Sequence, residues 1–293
     1  MAEILVGCGQ VTWPHGTPEE QILAEIAQAG YAGAPAHPAK ERSAEATVAL
    51  YAKYGLKPAP GYFGADFWRA DGRDQILDGA RRMARFMHDV GCTELYVAAG
   101  GFEGYVAASG KHCKQVAGHV GPEDSLSEAE WQQFADTLDR VGEITLKEGV
   151  KSCFHNHVGS VIETGEEIER LLSLVDPALI FLGPDTGHLA WAGVDTVDFC
   201  RRYADRIQTL HVKDVHAAVL QRGVAGGWDY DTFAHNGLFA ELGEGCVDFP
   251  VLFDVLRTAG FTGWLIVETD VTQKPSALES ITISRAYLKT LGL

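Results

Sequence analysis

Compact apolar runs alternate with longer amphipathic stretches from one end of the chain to the other. The compact runs predict strands at 3–8, 31–35, 56–59, 94–98, 150–154, 179–182, 207–212 and 264–267. Between them, apolar residues recur every three or four positions. That period predicts helices at 17–29, 43–54, 74–90, 128–148, 164–174, 196–203, 250–259 and 277–291. Thr17 reads as the cap of the first helix, with Pro18 at its first position and Glu20 three residues on. Thr164 reads as the cap of the fifth. Gly30, Gly55, Gly91, Gly149 and Gly260 stand where helices stop.

Strict alternation of strands and helices predicts parallel strands joined by right-handed crossovers. Eight such units point to an α/β chain folded as a single (β/α)8 TIM barrel across residues 1–293. The rival is a doubly wound sheet. It lacks support, because no predicted strand leads into GxGxxG or a Walker-type loop. Three connections are long, at 99–125, 156–163 and 213–247, and each follows a strand. Loops in that position lie on the face where barrel enzymes keep their sites.

Composition adds mainly exclusions. Lysine and arginine number 24 against 40 aspartates and glutamates, a formal net charge of -16. Such a surface repels phosphate backbones and lacks a basic membrane patch, so neither nucleic acid nor membrane is expected as a partner. The opening MAEILVGCGQ carries no signal pattern, and no apolar run is long enough to span a bilayer. The six cysteines are scattered without a CxxC pair and read as reduced thiols. Together these features suit a cytoplasmic chain.

The chemistry stands at strand ends. His155 and His157 follow the fifth strand and Asp185 the sixth; His211 and Lys213 end the seventh, and Glu268 the eighth. Asp185, His211 and Glu268 can converge on one divalent cation, although Asp185 can equally cap a helix. Glu268 is the strongest single case, because a carboxylate ending the apolar run Leu265-Ile266-Val267 is costly unless paired or metal-bound. The fourth ligand is either His155, on the strand end, or Glu163, eight residues on. If Glu163 binds the ion, His155 joins His157 in proton transfer. Lys213 either binds a developing oxyanion or pairs with Asp214 or Glu244. Trp13 and Phe239 are candidates for an apolar wall, while His188 and Glu244 are candidate substrate contacts.

The set HxH, DTGH, HVKD, GEGxVDF and a strand-ending VE, at 155–157, 185–188, 211–214, 243–249 and 267–268, resembles the xylose isomerase-like superfamily of sugar isomerases and epimerases. Residues 7–13 and 236–239 extend the resemblance, which is nearest to the inosose dehydratase branch. It implies a barrel with one divalent ion, Mn or Co before Zn, Fe or Mg, bound by Asp185, His211 and Glu268. It implies a lyase that dehydrates a keto-inositol or related keto-polyol through an enediolate. The alternative on the same ion is isomerisation or epimerisation of a keto-sugar. The substrate is expected to be small and neutral, and assembly as a dimer or tetramer is implied. Two positions differ from the branch: Glu163 replaces a glutamine, and 31–35 lack its glutamate.

Overall fold

Eight strand positions in the sequence become the staves of a barrel in the computed structural model, which describes residues 4–293. The strands are β1 (Leu5–Cys8), β2 (Gly33–Pro35), β3 (Lys57–Ala59), β4 (Tyr62–Ala65), β5 (Glu94–Ala99) and β6 (Lys151–His155). They continue as β7 (Ile180–Leu182), β8 (Thr209–Val212), β9 (Asp214–Val215), β10 (Phe239–Ala240) and β11 (Trp264–Val267). The helices are α1 (Glu19–Ala29), α2 (Ala44–Lys53), α3 (Arg73–Asp89), α4 (Glu128–Lys147), α5 (Gly165–Leu174) and α6 (Thr186–Trp191). Then come α7 (Thr196–Arg202), α8 (Ala217–Gly226), α9 (Tyr230–His235), α10 (Phe249–Thr258) and α11 (Ala277–Thr290).

All eight expected strands and helices are present, with ends that are trimmed or shifted by a residue or so; Glu3, expected to open the first strand, lies outside the described residues. One sheet runs in the order β3-β2-β1-β11-β8 and the other β4-β5-β6-β7. β3 and β4 are two halves of a single stave, one pairing with β2 and the other with β5. Pro60 stands between them and has no N–H to continue a ladder. On the opposite side, parallel bridges Leu182↔Ile207 and Asp185↔His211 join the sheets.

Packing follows the strand period. A small inner cluster of Ala59, Tyr96, Trp264 and Ile266 fills the barrel. A much larger one, including Leu210, Val212, Leu265 and Val267, lies between staves and helices. A third cluster sits over the strand ends, where the 213–247 connection folds into α8, α9 and the antiparallel β9–β10 pair. Trp191, Phe233, Leu238 and Phe239 are its core.

Helix starts are capped locally. Ser127 with Glu130 and Thr164 with Glu167 form reciprocal capping boxes. Thr17 does not cap α1 as expected: Pro18 holds that position, and the Thr17 hydroxyl donates to Pro14 O at 2.7 Å, closing the preceding turn. No described helix is long and apolar enough to cross a membrane.

Candidate active site

Side chains on a strand alternate between faces, so residues of one parity enter the barrel together. On β8, Leu210 and Val212 pack outward, while Thr209 bonds to Tyr96 inside. His211 and Lys213 share the Thr209 parity. On β11, Trp264 and Ile266 pack inward, and Glu268 and Asp270 continue that register. His155 ends β6 with Phe154 facing outward. On these three staves the inward-facing side chains at the mouth are therefore polar.

His155, Asp185 and His211 form one group able to hold a cation, each offering a donor atom within 4.8 Å of the others. His211 Nδ1 lies 3.0 Å from Glu268 Oε2 and 3.8 Å from Asp185 Oδ2. Asp185 both caps a helix and faces the cluster. Its Oδ1 accepts the His188 N–H at 2.9 Å at the start of α6, whereas Oδ2 is buried and makes no hydrogen bond of good geometry, its near contact being the Lys213 ammonium at 3.2 Å. His211 Nδ1 is likewise buried and unpartnered by hydrogen-bond geometry. His155 Nδ1–H can donate to Gly183 O at 3.2 Å, which leaves the Nε2 lone pair free. Gly9 makes room for the carboxylate: a Cβ there would stand 2.3 Å from Glu268 Oε1.

Beside this group lies a second, His157, His188 and Asp270. Lys213 Nζ sits among them, 2.7 Å from Asp270 Oδ1, 3.2 Å from His188 Nε2, 3.2 Å from Asp185 Oδ2 and 3.5 Å from Glu268 Oε2. Val158 N–H is 3.3 Å from the other His188 nitrogen, and a neutral ring can accept from only one of these donors. The charged ammonium makes the stronger bond. Burial pulls the Lys213 pKa down, but Asp185, Asp270 and Glu268 outweigh it and hold the group well above its ordinary value. Burial raises both Asp185 and Asp270. Burial would also raise Glu268, yet His211 and Lys213 bring it below the usual carboxylate range. Burial lowers His155 and His188 well below an ordinary imidazole, and takes His157 down to about 3. The imidazoles of these three are neutral at pH 7.

A cavity of about 380 Å³ opens onto the cluster. His155, His157, His211, Lys213, Glu268 and Asp270 line its polar side; Val11, Pro35, Pro60, Tyr62 and Phe102 line the apolar side. A larger groove of about 740 Å³ lies elsewhere, between Phe63, Asp66 and α3, and includes none of these strand-end groups.

Several expected residues stand elsewhere. Glu163 is buried, but its two oxygens accept the Gly118 and Gly159 N–H groups at 2.6 Å each, so it ties two loops together instead of joining the cluster. Burial raises its pKa to about 8. Trp13 packs in the outer core with Nε1–H on Glu25 Oε2 at 2.7 Å. Glu244 is exposed and pairs with Lys274 at 2.8 Å. Phe239 and His188 back the cavity without lining it; their rings meet edge to face at 6.4 Å. Lys213 pairs with neither Asp214 nor Glu244. Asp270 was overlooked in sequence, although it shares the Glu268 parity and could have been found by counting. Gln10, Tyr62 and Phe102 come from the weakly patterned first half and carry no such signal.

A parallel barrel with imidazoles and carboxylates gathered at the strand C-termini defines a class of enzymes that work at that rim. A family model described as "Xylose isomerase-like TIM barrel" matches residues 23–290, and the chain belongs to that family. Inosose dehydratase of Geobacillus kaustophilus is 32% identical over 268 residues, 91% of this chain and 84% of that protein. Among solved structures, IolI protein with a binding zinc atom superposes with a TM-score of 0.72 at 14% identity, covering 98% of this chain and 97% of that one. L-ribulose 3-epimerase gives a TM-score of 0.71 at 18% identity, covering 99% and 94%. The two structures establish the fold alone. The chain is an enzyme of this family.

Proposed function

We propose that this enzyme is a metal-dependent lyase that removes water from a keto-inositol or a closely related cyclic keto-polyol. The observation that carries the reading is the convergence of His155, Asp185 and His211, each offering a ligand atom within 4.8 Å of the others, beside a cavity lined by His157 and Lys213. The 32% identity to an inosose dehydratase supports the substrate class.

The donor set suits a divalent ion. Asp185 Oδ2 and His211 Nδ1 make no hydrogen bond of good geometry, only charge contacts to Lys213 at 3.2 Å and Glu268 at 3.0 Å, so both keep lone-pair capacity that a cation fits. Mixed imidazole and carboxylate donors fit Mn, Co, Zn or Fe(II). His155, Asp185, His211 and Glu268 would hold it, His155 being the one of the two candidate fourth ligands that faces the cluster. A bound ion would polarise a carbonyl and its neighbouring hydroxyl, acidifying the adjacent C–H.

The remaining steps belong to the side chains. His157 Nδ1–H donates to Val158 O at 2.7 Å, so Nε2 carries the lone pair and can accept the proton from carbon. Lys213 stays charged and opposes the negative charge that grows on the substrate oxygen. The proton taken by His157 is then available for the departing hydroxyl. Val11, Pro35, Pro60 and Phe102 offer an apolar wall for the C–H face of a ring. The substrate is small and neutral, with no role for nucleic acid or membrane, and a cytoplasmic setting and homo-oligomeric assembly complete the proposal.

Metal depletion and add-back with keto-inositol tests this reading, with the dione product followed by absorbance. Activity that returns with Mn or Co, with water lost, is expected. A metal-loaded enzyme that leaves keto-inositol intact would refute the dehydratase assignment. Exchange from deuterated water without loss of water would point instead to epimerisation of a keto-sugar.

A further inference from the structure

The second group at the barrel mouth consists of metal-type donors. His157, His188 and Asp270 present atoms within 4.8 Å of one another, and Asp185 Oδ2 reaches toward the same space. Imidazoles with carboxylates are what a transition metal selects. Yet a side chain already occupies the position. Lys213 Nζ lies 2.7 Å from Asp270 Oδ1 and 3.2 Å from both His188 Nε2 and Asp185 Oδ2. We propose that the Lys213 ammonium is a built-in second cation, filling a position that its ligands would otherwise offer to a second metal ion and limiting the enzyme to one. This rests on the reading of His155, Asp185, His211 and Glu268 as the binding set for the first ion.

Three observations support it. First, the lysine is held along its length. Its backbone N–H donates to Thr186 Oγ1 at 2.8 Å, and that hydroxyl donates back to the backbone Lys213 O at 2.7 Å. The stem packs so closely that a Cβ on Gly187 would stand 2.7 Å from its Cγ. Phe239 lies under the charge, 5.6 Å from Nζ to the ring centre. Second, Lys213 is fully buried, with its charge facing the acidic groups of the barrel mouth. Third, the charges balance. Asp185, Glu268 and Asp270 carry three negative charges, and one divalent ion with one ammonium supplies three positive ones. A second divalent ion beside the lysine would leave the buried site strongly positive. Asp185 would then serve both the bound ion and the ammonium, giving one metal and one ammonium as oxyanion-binding centres. A substrate with two adjacent oxygens can address both.

The test is metal counting. Apo protein is titrated with Mn by calorimetry, and bound Mn is measured by mass spectrometry after desalting. Wild type should take one ion per chain. Lys213→Ala should take two, and their proximity should appear as spin coupling in the Mn resonance spectrum. The double variant Lys213→Ala/Asp270→Asn should return to one. Lys213→Ser, which also empties the position, carries the same expectation as Lys213→Ala and serves if the alanine variant does not fold. A variant that folds only when Mn is present counts as uptake when two ions are recovered with it. Folded Lys213→Ala and Lys213→Ser that hold a single ion would overturn the proposal, as would two ions in wild type. A wild-type chain that takes none would remove the first-ion reading itself, a result distinct from either.

Discussion

Lys213 and Asp214 are adjacent in the chain, both buried and both charged, and their surroundings are opposite. Lys213 enters the barrel mouth among carboxylates and imidazoles that have atoms to spare. Asp214 points the other way into a cradle of backbone N–H groups. It accepts from Val215, Gly243, Gly245 and Val247 at 3.0 to 3.1 Å. Those bonds pin the 239–247 segment to the end of β8, which is why a GEGxVDF run accompanies HVKD. A buried charge whose bonds are all met holds structure together. One set among unsatisfied atoms is arranged for something that binds. The difference separates a site from its scaffold without any appeal to residue type.

Substitutions on the two sides should therefore separate activity from stability. The largest effect is expected at Glu268. Glu268→Gln should lower kcat/KM by roughly 10³-fold, about 4 kcal/mol of transition-state stabilisation, with little change in the urea midpoint. Equal losses of activity and stability would place Glu268 in the scaffold. Asp214→Ala should do the reverse, costing about 3 kcal/mol or more of folding stability as four N–H groups lose a charged acceptor. Denaturant unfolding reads it directly.

Metal sharpens the contrast further. An ion at a hundred times its Kd should stabilise the folded chain by about 2.7 kcal/mol, visible as a rise in Tm. The rise should persist in Asp214→Ala and vanish in Glu268→Gln. A rise of the same size in both variants would mean that the ion binds somewhere other than the barrel mouth.

The smallest effect concerns Glu163, which clamps the loops at Gly118 and Gly159. Its folded pKa of about 8 lies above an ordinary glutamate, because burial disfavours the charge. The folded state then binds the proton more tightly than the unfolded one. Its contribution is full below the unfolded pKa, near 4.3, and is lost as pH rises toward 8. Glu163→Gln should flatten the stability profile across that window. It should also remove roughly 1 kcal/mol at acid pH, because an amide offers only one acceptor atom to two N–H donors. Unfolding curves at several pH values would show it; an unchanged slope would contradict the assignment.

Much of the architecture was legible in sequence because periodicity is local. Apolar runs and helical repeats need only neighbours along the chain, and all eight units were found from them. β4 was missed because Pro60 interrupts its stave, and a strand split in two has no run long enough to register. α6, α8 and α9 have no counterpart among the helices the sequence predicts; α8 and α9 pack on Trp191 and Phe239 above the barrel, away from the main core.

At the site, strand-end position nominates His155, His157, Asp185, His211, Lys213 and Glu268. That is a property of a single strand. Which atom each residue meets was not written there. Asp270 reaches Lys213 from 57 positions away, Gly118 and Gly159 claim Glu163, and Asp214 finds its cradle some thirty residues on. Those pairings depend on how staves and loops are placed around the barrel. That placement comes from closure and packing across the whole chain, so partners, and with them the division between catalysis and support, appear only once the barrel is shut.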